Sequence, residues 1–355
     1  MTDPWQSGRQ RAALVEYLSG LGFTAEQMAD AERRGRLFGL AGDALGWSGP
    51  PQFSLRDAAA TLGVGVGELE RTWTMLGLRP ADPDAPVLSR ADVDALGTCV
   101  AMRAQIGDLV EGFLRVLGVT MARLAEAESS MIRAARPDVW LDHTGDAVTT
   151  AQAWRAAAEF IPRVGALIDT IHRHHLVSAR TFLEDLGGGP TLSLICGVGF
   201  TDLSGFTVLT RLLSPAELTE LVTSFQSTVT DAVHAAGGRV VKFLGDAVMW
   251  VSATPDLLVS AAIDLVDHPK AIEAGVQVRA GLGYGEILAV NGDYFGNPVN
   301  LAARLVAAAD PGQILVADNL RELLPDWPAR KLDPLMLKGF DAPIAAYELG
   351  RASTR

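Results

Sequence analysis

Two aspartates, Asp202 and Asp246, each stand beside an apolar stretch of this 355-residue chain. Asp202 follows Leu194-Ile195-Cys196-Gly197-Val198-Gly199-Phe200, and Asp246 follows the turn Leu244-Gly245 between β-rich residues 240–243 and 247–251. A carboxylate at the end of an apolar strand is costly to desolvate unless a positive group pairs with it. A hard dication suits such a pair, because two carboxylates leave coordination positions open for water and phosphate oxygens. The plainer reading is two ordinary turn aspartates. A third stretch weighs against it. Asp293-Tyr294-Phe295-Gly296-Asn297-Pro298-Val299-Asn300-Leu301-Ala302-Ala303-Arg304 opens a helix and adds Asp293, Asn300 and Arg304. Asn300 and Arg304 stand one turn apart on one helical face.

These groups need elements to hold them. Residues 193–200 read as a buried strand. Residues 215–236 read as an amphipathic helix with Leu218, Leu221, Val222, Phe225, Val229 and Val233 on one face, stopped by Gly237-Gly238. Residues 240–244 and 247–251 form a hairpin around Gly245-Asp246, and 255–266 a second helix. Residues 276–290 are a long β-rich run interrupted by Gly283 and Gly285, followed by a helix at 297–308 and strands at 313–316 and 345–349. The order β-α-β-β-α-β predicts a ferredoxin-like palm core.

The first half reads as all helix. Residues 10–20 form one short helix, and Thr24-Ala25-Glu26-Gln27 starts another with a capping-box pattern. Ser54 caps a helix to Leu62, Gly63-Val64-Gly65-Val66-Gly67 turns the chain, and residues 68–76 form a second helix. This is a helix-turn-helix pattern, and with Val87-Leu88-Ser89-Arg90 it resembles a winged MerR-type head. Its surface carries Glu68, Glu70, Asp82 and Asp84 against Arg71, which opposes phosphate attraction, so no DNA partner is expected. Residues 89–134 read as one long helix or two, with Leu109, Phe113, Val116, Leu117, Met121 and Leu124 as a core stripe or dimer seam; an apolar effector pocket is the other reading. Residues 149–186 are further helix ending near His172, His174 and His175. That cluster is either a pH sensor or a solvated basic helix end. Gly187-Gly188-Gly189-Pro190 marks a boundary, giving a regulatory domain at 1–186 and a second domain at 191–350.

Composition sets the limits. Hydrophobic residues make up 48%, so cores are easily built, and the net charge of −12 argues against general nucleic-acid binding. No lysine precedes Lys242. Cys99 and Cys196, the two cysteines, lie in apolar runs and read as reduced core residues of a cytoplasmic protein. The polar start lacks a signal-peptide pattern, and the apolar stretch 106–124 is broken by Asp108, Glu111, Arg115 and Arg123, which excludes a membrane span there.

Four segments together resemble the catalytic domain of class III adenylyl cyclases, over roughly residues 191–349. They are Phe200-Thr201-Asp202-Leu203-Ser204-Gly205-Phe206, Lys242-Phe243-Leu244-Gly245-Asp246-Ala247, the Asp293 to Arg304 stretch, and Leu337-Lys338-Gly339-Phe340. The resemblance implies an α+β fold: a palm-type catalytic domain preceded by an all-α regulatory domain with a helix-turn-helix-like segment, as in some bacterial members. It implies conversion of ATP to 3′,5′-cyclic AMP and pyrophosphate. Asp202, Asp246 and the Leu203 carbonyl are expected to hold two divalent cations, Mg²⁺ or Mn²⁺. The backbone of Ser204, Gly205 and Phe206 is expected to cradle phosphates, and Lys338 to contact the triphosphate. Arg304 is expected to stabilise charge at the α-phosphorus, with Asn300 positioning the ribose.

The same resemblance makes Lys242 the donor to adenine N1 and Asp293 the acceptor from the N6 amine. Guanylyl relatives usually carry Glu with Cys or Ser, so ATP is favoured over GTP. Metal and base groups come from opposite protomers in the family, which implies a head-to-tail homodimer with two interfacial sites. Glu286 departs from the pattern, standing where some relatives have a phosphate-contacting arginine. The N-terminal domain is expected to answer to a small-molecule, lipid or proton effector. The competing readings are a guanylyl cyclase, or a nucleotide-sensing helix-turn-helix regulator with a silent cyclase domain.

Overall fold

The computed structural model describes residues 8–79, 82–135, 146–187, 193–269, 271 and 275–350. The expected boundary at Gly188-Gly189-Pro190 and the polar start of the chain lie outside them. The chain forms two compact units, Met1–His175 and Leu176–Arg355.

The first unit is helical. Its elements are α1 (Gly8–Gly20), α2 (Ala25–Arg33), α3 (Leu40–Asp43), α4 (Leu55–Leu62), α5 (Val66–Met75), α6 (Arg90–Ile106), α7 (Leu109–Ala135) and α8 (Ala147–Ala157), and α9 (Ile161–Asp185) runs on into the second unit. Thr24, Ser54 and Ser89 start α2, α4 and α6 with complete capping boxes, reciprocated by Gln27, Asp57 and Asp92. Each box gives partners to two backbone N–H groups that a helix start would otherwise leave unpaired. One core gathers Leu14, Leu18, Phe23, Leu37 and Phe38 with Ala147 and Ala151. A second gathers Leu55, Leu69, Leu88, Val93 and Leu96 around the helix-turn-helix, where Gly63 takes φ 70° between α4 and α5.

Of the readings given to the apolar stripe on α7, the structure rules against a core line within this chain and not against a dimer seam, with Leu117 and Leu124 half-buried. Leu109, Phe113, Val116 and Met121 are exposed, whereas Val110, Leu114 and Gly118 are buried. Gly118 explains the rotation. A Cβ there would lie 2.5 Å from the Leu76 carbonyl carbon, so α7 lies against the chain just after α5 through a residue that adds nothing to a hydrophobicity pattern. His172, His174 and His175 are all exposed on α9. No described helix is long and apolar enough to cross a membrane.

The second unit runs β1 (Ser193–Ser204), α10 (Phe206–Leu212), α11 (Pro215–Ala235), β2 (Arg239–Leu244), β3 (Ala247–Ser252), α12 (Pro255–Val266), β4 (Gln277–Val290), β5 (Asp293–Phe295), α13 (Asn297–Ala308), β6 (Ile314–Ala317), α14 (Asp318–Arg321), β7 (Ala329–Lys331) and β8 (Ala346–Leu349). The sheet order is β2-β3-β1-β4-β6-β8-β7, with β5 also paired to β4. Its first four strands have the ferredoxin-like palm arrangement, antiparallel throughout.

Alternation along the strands splits the core. Leu203, Trp250, Val278 and Leu282 join Val229 and Val233 of α11 and Leu258 and Leu265 of α12. Cys196, Val198, Phe200, Met249 and Val251 join Ala302 and Val306 of α13, together with Phe182 near the end of α9. Burial pushes the Cys196 thiol up to about 12, which keeps it protonated and inert. Strand β1 runs past Phe200 to Ser204. Asp202 is therefore a residue of the ladder rather than of the loop beyond it.

Candidate active site

The last residues of β1 and the β2–β3 hairpin form the first half of the site. Asp202 sits in register with Ala247 of β3 and Arg279 of β4. That register sets the hairpin residue Asp246 next to the end of β1, where the Leu203 N–H donates to the Asp246 carbonyl at 3.3 Å. Gly245 makes the turn at φ 70°. Burial, and then the negative charge of Asp202, hold the Asp246 carboxyl above the usual range.

Arg279 grips Asp202. Its Nε and Nη2 donate to Oδ2 at 3.0 and 2.6 Å. Its Nη1 donates to the carbonyls of Ala309 at 3.1 Å and Ala307 at 3.4 Å, at the C-terminal end of α13. The sequence reading did not single out this residue. The available signal was an arginine between Val278 and Ala280 in a β-rich run, since a charge held in a sheet needs a partner.

The donors at this corner fit a hard dication. Asp202 and Asp246 are like charges at close quarters, and the Ser204 hydroxyl is buried with no hydrogen-bond partner. Among the described residues no group of three or more His, Cys, Asp or Glu side chains could hold a metal. An ion here would complete its shell with backbone carbonyl, water and substrate oxygens. The chain leaves β1 through Gly205, at φ 79°, into Phe206 at the start of α10.

Two further pairings come from distant parts of the sequence. Lys242 on β2 forms an ion pair with Asp293 on β5, each about one-third exposed at 34% and 30%. The second Asp293 oxygen accepts the Tyr294 N–H at 2.9 Å. Asn300 and Arg304 are both exposed on α13, while Leu301, Ala302, Leu305 and Val306 bury its other side. Among the described residues Arg304 makes no side-chain ion pair. Lys338 is exposed beside Gly339, at φ 90°, and the structure does not join it to the other groups. Glu286 accepts a hydrogen bond from the Ser193 hydroxyl, so it is held in place at the sheet surface.

The seat of α13 depends on two glycines in β4. A Cβ on Gly281 would lie 2.2 Å from the Val306 nitrogen, and one on Gly283 would lie 2.4 Å from the Pro298 carbonyl oxygen. Neither obstacle is a flexible side chain. Gly281→Ala is therefore expected to push α13 off the sheet and destabilise the fold by about 1–3 kcal/mol, as overpacking does. Denaturant melts read the loss. Activity should fall with it, because Asn300 and Arg304 ride on that helix.

Comparison with known proteins finds two families that match separate parts of the chain. The adenylate and guanylate cyclase catalytic domain family matches residues 194–350, and the adenylate cyclase regulatory domain family matches residues 6–179. An adenylate cyclase of Streptomyces coelicolor is 31% identical over 273 residues, covering 75% of this chain and 70% of that one. The chain belongs to the class III adenylate cyclase family. It carries both that family's catalytic domain and its regulatory domain. An uncharacterized protein of Mycobacterium tuberculosis is 64% identical over 342 residues, covering 96% of this chain and 90% of that protein. A second protein of that organism, named a pH-sensitive adenylate cyclase, is 29% identical over 363 residues, covering 98% and 89%.

Proposed function

We propose that this chain converts ATP to 3′,5′-cyclic AMP and pyrophosphate. The ribose 3′-oxygen attacks the α-phosphorus, and the bond from that phosphorus to the β-phosphate bridging oxygen breaks. The observation that carries the reading is the meeting of Lys242 with Asp293, a donor and an acceptor 51 residues apart in sequence. Adenine offers the complementary pair, N1 as acceptor and the N6 amine as donor. Guanine would leave both groups unpaired once the base covers them, which rejects a substrate by orders of magnitude. The mutual ion pair must open to admit the base edge.

Asp202, Asp246 and the Leu203 carbonyl would hold two divalent cations, Mg²⁺ or Mn²⁺, which acidify the ribose hydroxyl and offset triphosphate charge. Arg304, which makes no side-chain ion pair among the described residues, would grip the oxygens at the α-phosphorus. Asn300, one turn earlier, orients the ribose. Lys338 contacts the triphosphate, and the Ser204-Gly205-Phe206 turn offers backbone N–H groups to it.

Active sites of this kind form between two copies of the chain, with the aspartates from one protomer and the base and ribose groups from the other. Two features support that assembly. Asn300 and Arg304 face solvent rather than the carboxylates, and Ile195, Leu288 and Phe295 leave apolar surface exposed on β1, β4 and β5.

The test is cyclic AMP production by the purified full-length chain, supplied with ATP or GTP and Mn²⁺ or Mg²⁺. Product from ATP, with GTP a poor substrate, is expected. A chain starting at Leu176 keeps Phe182 in its core and removes the helical unit. Its activity should exceed that of the full chain, because the direct helical connection through α9 suits an inhibitory domain. No cyclic AMP from either form would count against the proposal, and an unchanged rate would count against inhibition.

A further inference from the structure

We infer that Arg279 is a positioning residue for the bound dication, the group that orients Asp202 as a ligand; this rests on the cyclase reading above. Both of its donations to the carboxylate go to Oδ2, at 3.0 and 2.6 Å. The same carboxylate also shares a side-chain hydrogen bond with Asp246. Arg279 thus fixes one oxygen, Oδ2, of a carboxylate that meets Asp246 at the corner where an ion would sit. The remaining nitrogen, Nη1, is tied to the Ala309 and Ala307 carbonyls at 3.1 and 3.4 Å. Those carbonyls end α13 and have no partner further along the helix, so a cation suits them. The guanidinium is therefore anchored on both sides, and its two donations converge on one carboxylate oxygen and hold that atom in place.

The arrangement could instead be a placeholder, with Arg279 supplying positive charge that a dication must displace. The two readings predict opposite signs. A placeholder competes with the metal, so removing it tightens metal binding. A positioning residue supports the ligand, so removing it weakens binding, as loss of an outer partner of a metal ligand typically does by about 10- to 100-fold. The anchoring favours positioning, because leaving Asp202 would also break the bonds to α13. Arg279 also joins the carboxylate that one site needs to the helix bearing Asn300 and Arg304. In the proposed dimer those groups serve the other site, so one residue sets the register of both.

The test uses the full-length chain with Arg279→Lys and Arg279→Met. Mn²⁺ uptake is followed by electron paramagnetic resonance of the free ion, with and without 3′-deoxy-ATP, which cannot cyclise. Half-saturation is expected to move to about 10- to 100-fold higher Mn²⁺ in both variants, while the ratio of ATP to GTP turnover stays at the parent value. Arg279→Lys keeps the cation and loses only the fork, so it decides alone if the methionine variant does not fold. Half-saturation that is unchanged or lower in a folded variant overturns the inference. Absence of Mn²⁺ uptake by the parent chain would instead overturn the cyclase reading beneath it, and the two failures are distinguishable.

Discussion

Asp246→Ala is expected to abolish cyclic AMP formation while leaving the metal-free chain at least as stable as its parent. Metal assistance contributes several kcal/mol to such a transition state, so the rate should fall by about 10³-fold or more. Stability should respond differently, because Asp246 is penalised by its place in the fold. Its carboxyl is raised first by burial and then by the charge of Asp202. A carboxyl with a raised folded pKa binds its proton more tightly in the native state than in the unfolded one. The penalty is therefore present at neutral pH and is lost as pH falls through the raised value. Alanine should melt no lower than the parent at pH 7, and the parent should close any gap on acidification. Asp202→Ala makes the contrast. It should be equally inactive but also less stable, by about 1–3 kcal/mol, since the Arg279 fork loses its acceptor. Paired melts in a chelator, with activity in Mn²⁺, separate the two aspartates. Equal destabilisation by both would mean that Asp246, too, is held by a favourable partner.

The palm core was legible because its signals are local. The apolar face from Leu218 to Val233, the helix stop at Gly237-Gly238 and the hairpin at Gly245 each name an element from nearby residues, and the structure has all three. The candidate residues Asp202, Asp246, Lys242, Asp293, Asn300 and Arg304 take their proposed roles from a family resemblance rather than from periodicity. What escaped is non-local. Strand β5 is three residues long and exists only because β4 offers it a ladder. Arg279 acquires its meaning from a carboxylate 77 residues earlier and from the carbonyls of Ala307 and Ala309 at the end of α13. The rotation of α7 turned on Gly118, where the deciding fact is how near another segment comes. Hydrophobic pattern records which side chains prefer burial. It does not record which backbone can be approached.

Replacing Lys242 by Glu together with Asp293 by Cys is expected to lower kcat/KM for ATP by about 10²- to 10⁴-fold and to raise GTP turnover, because a site built to hydrogen-bond one base edge rejects the other strongly. The single variants sharpen the argument. Lys242→Glu sets a carboxylate beside Asp293, so two like charges face the base and neither donates to adenine N1. Asp293→Cys leaves Lys242 with no acceptor beside it to receive the N6 amine. Both should lose ATP activity without gaining GTP activity, so the switch belongs to the pair. Stability should hardly register these changes. With both side chains about one-third exposed, such an ion pair contributes about 0–1 kcal/mol. A large loss of ATP turnover with melting temperatures within a few degrees of the parent is therefore the signature of a recognition pair. If the variants lost ATP and GTP turnover only in proportion to their stability, Lys242 and Asp293 would be a structural pair, and base choice would have to lie elsewhere in the site.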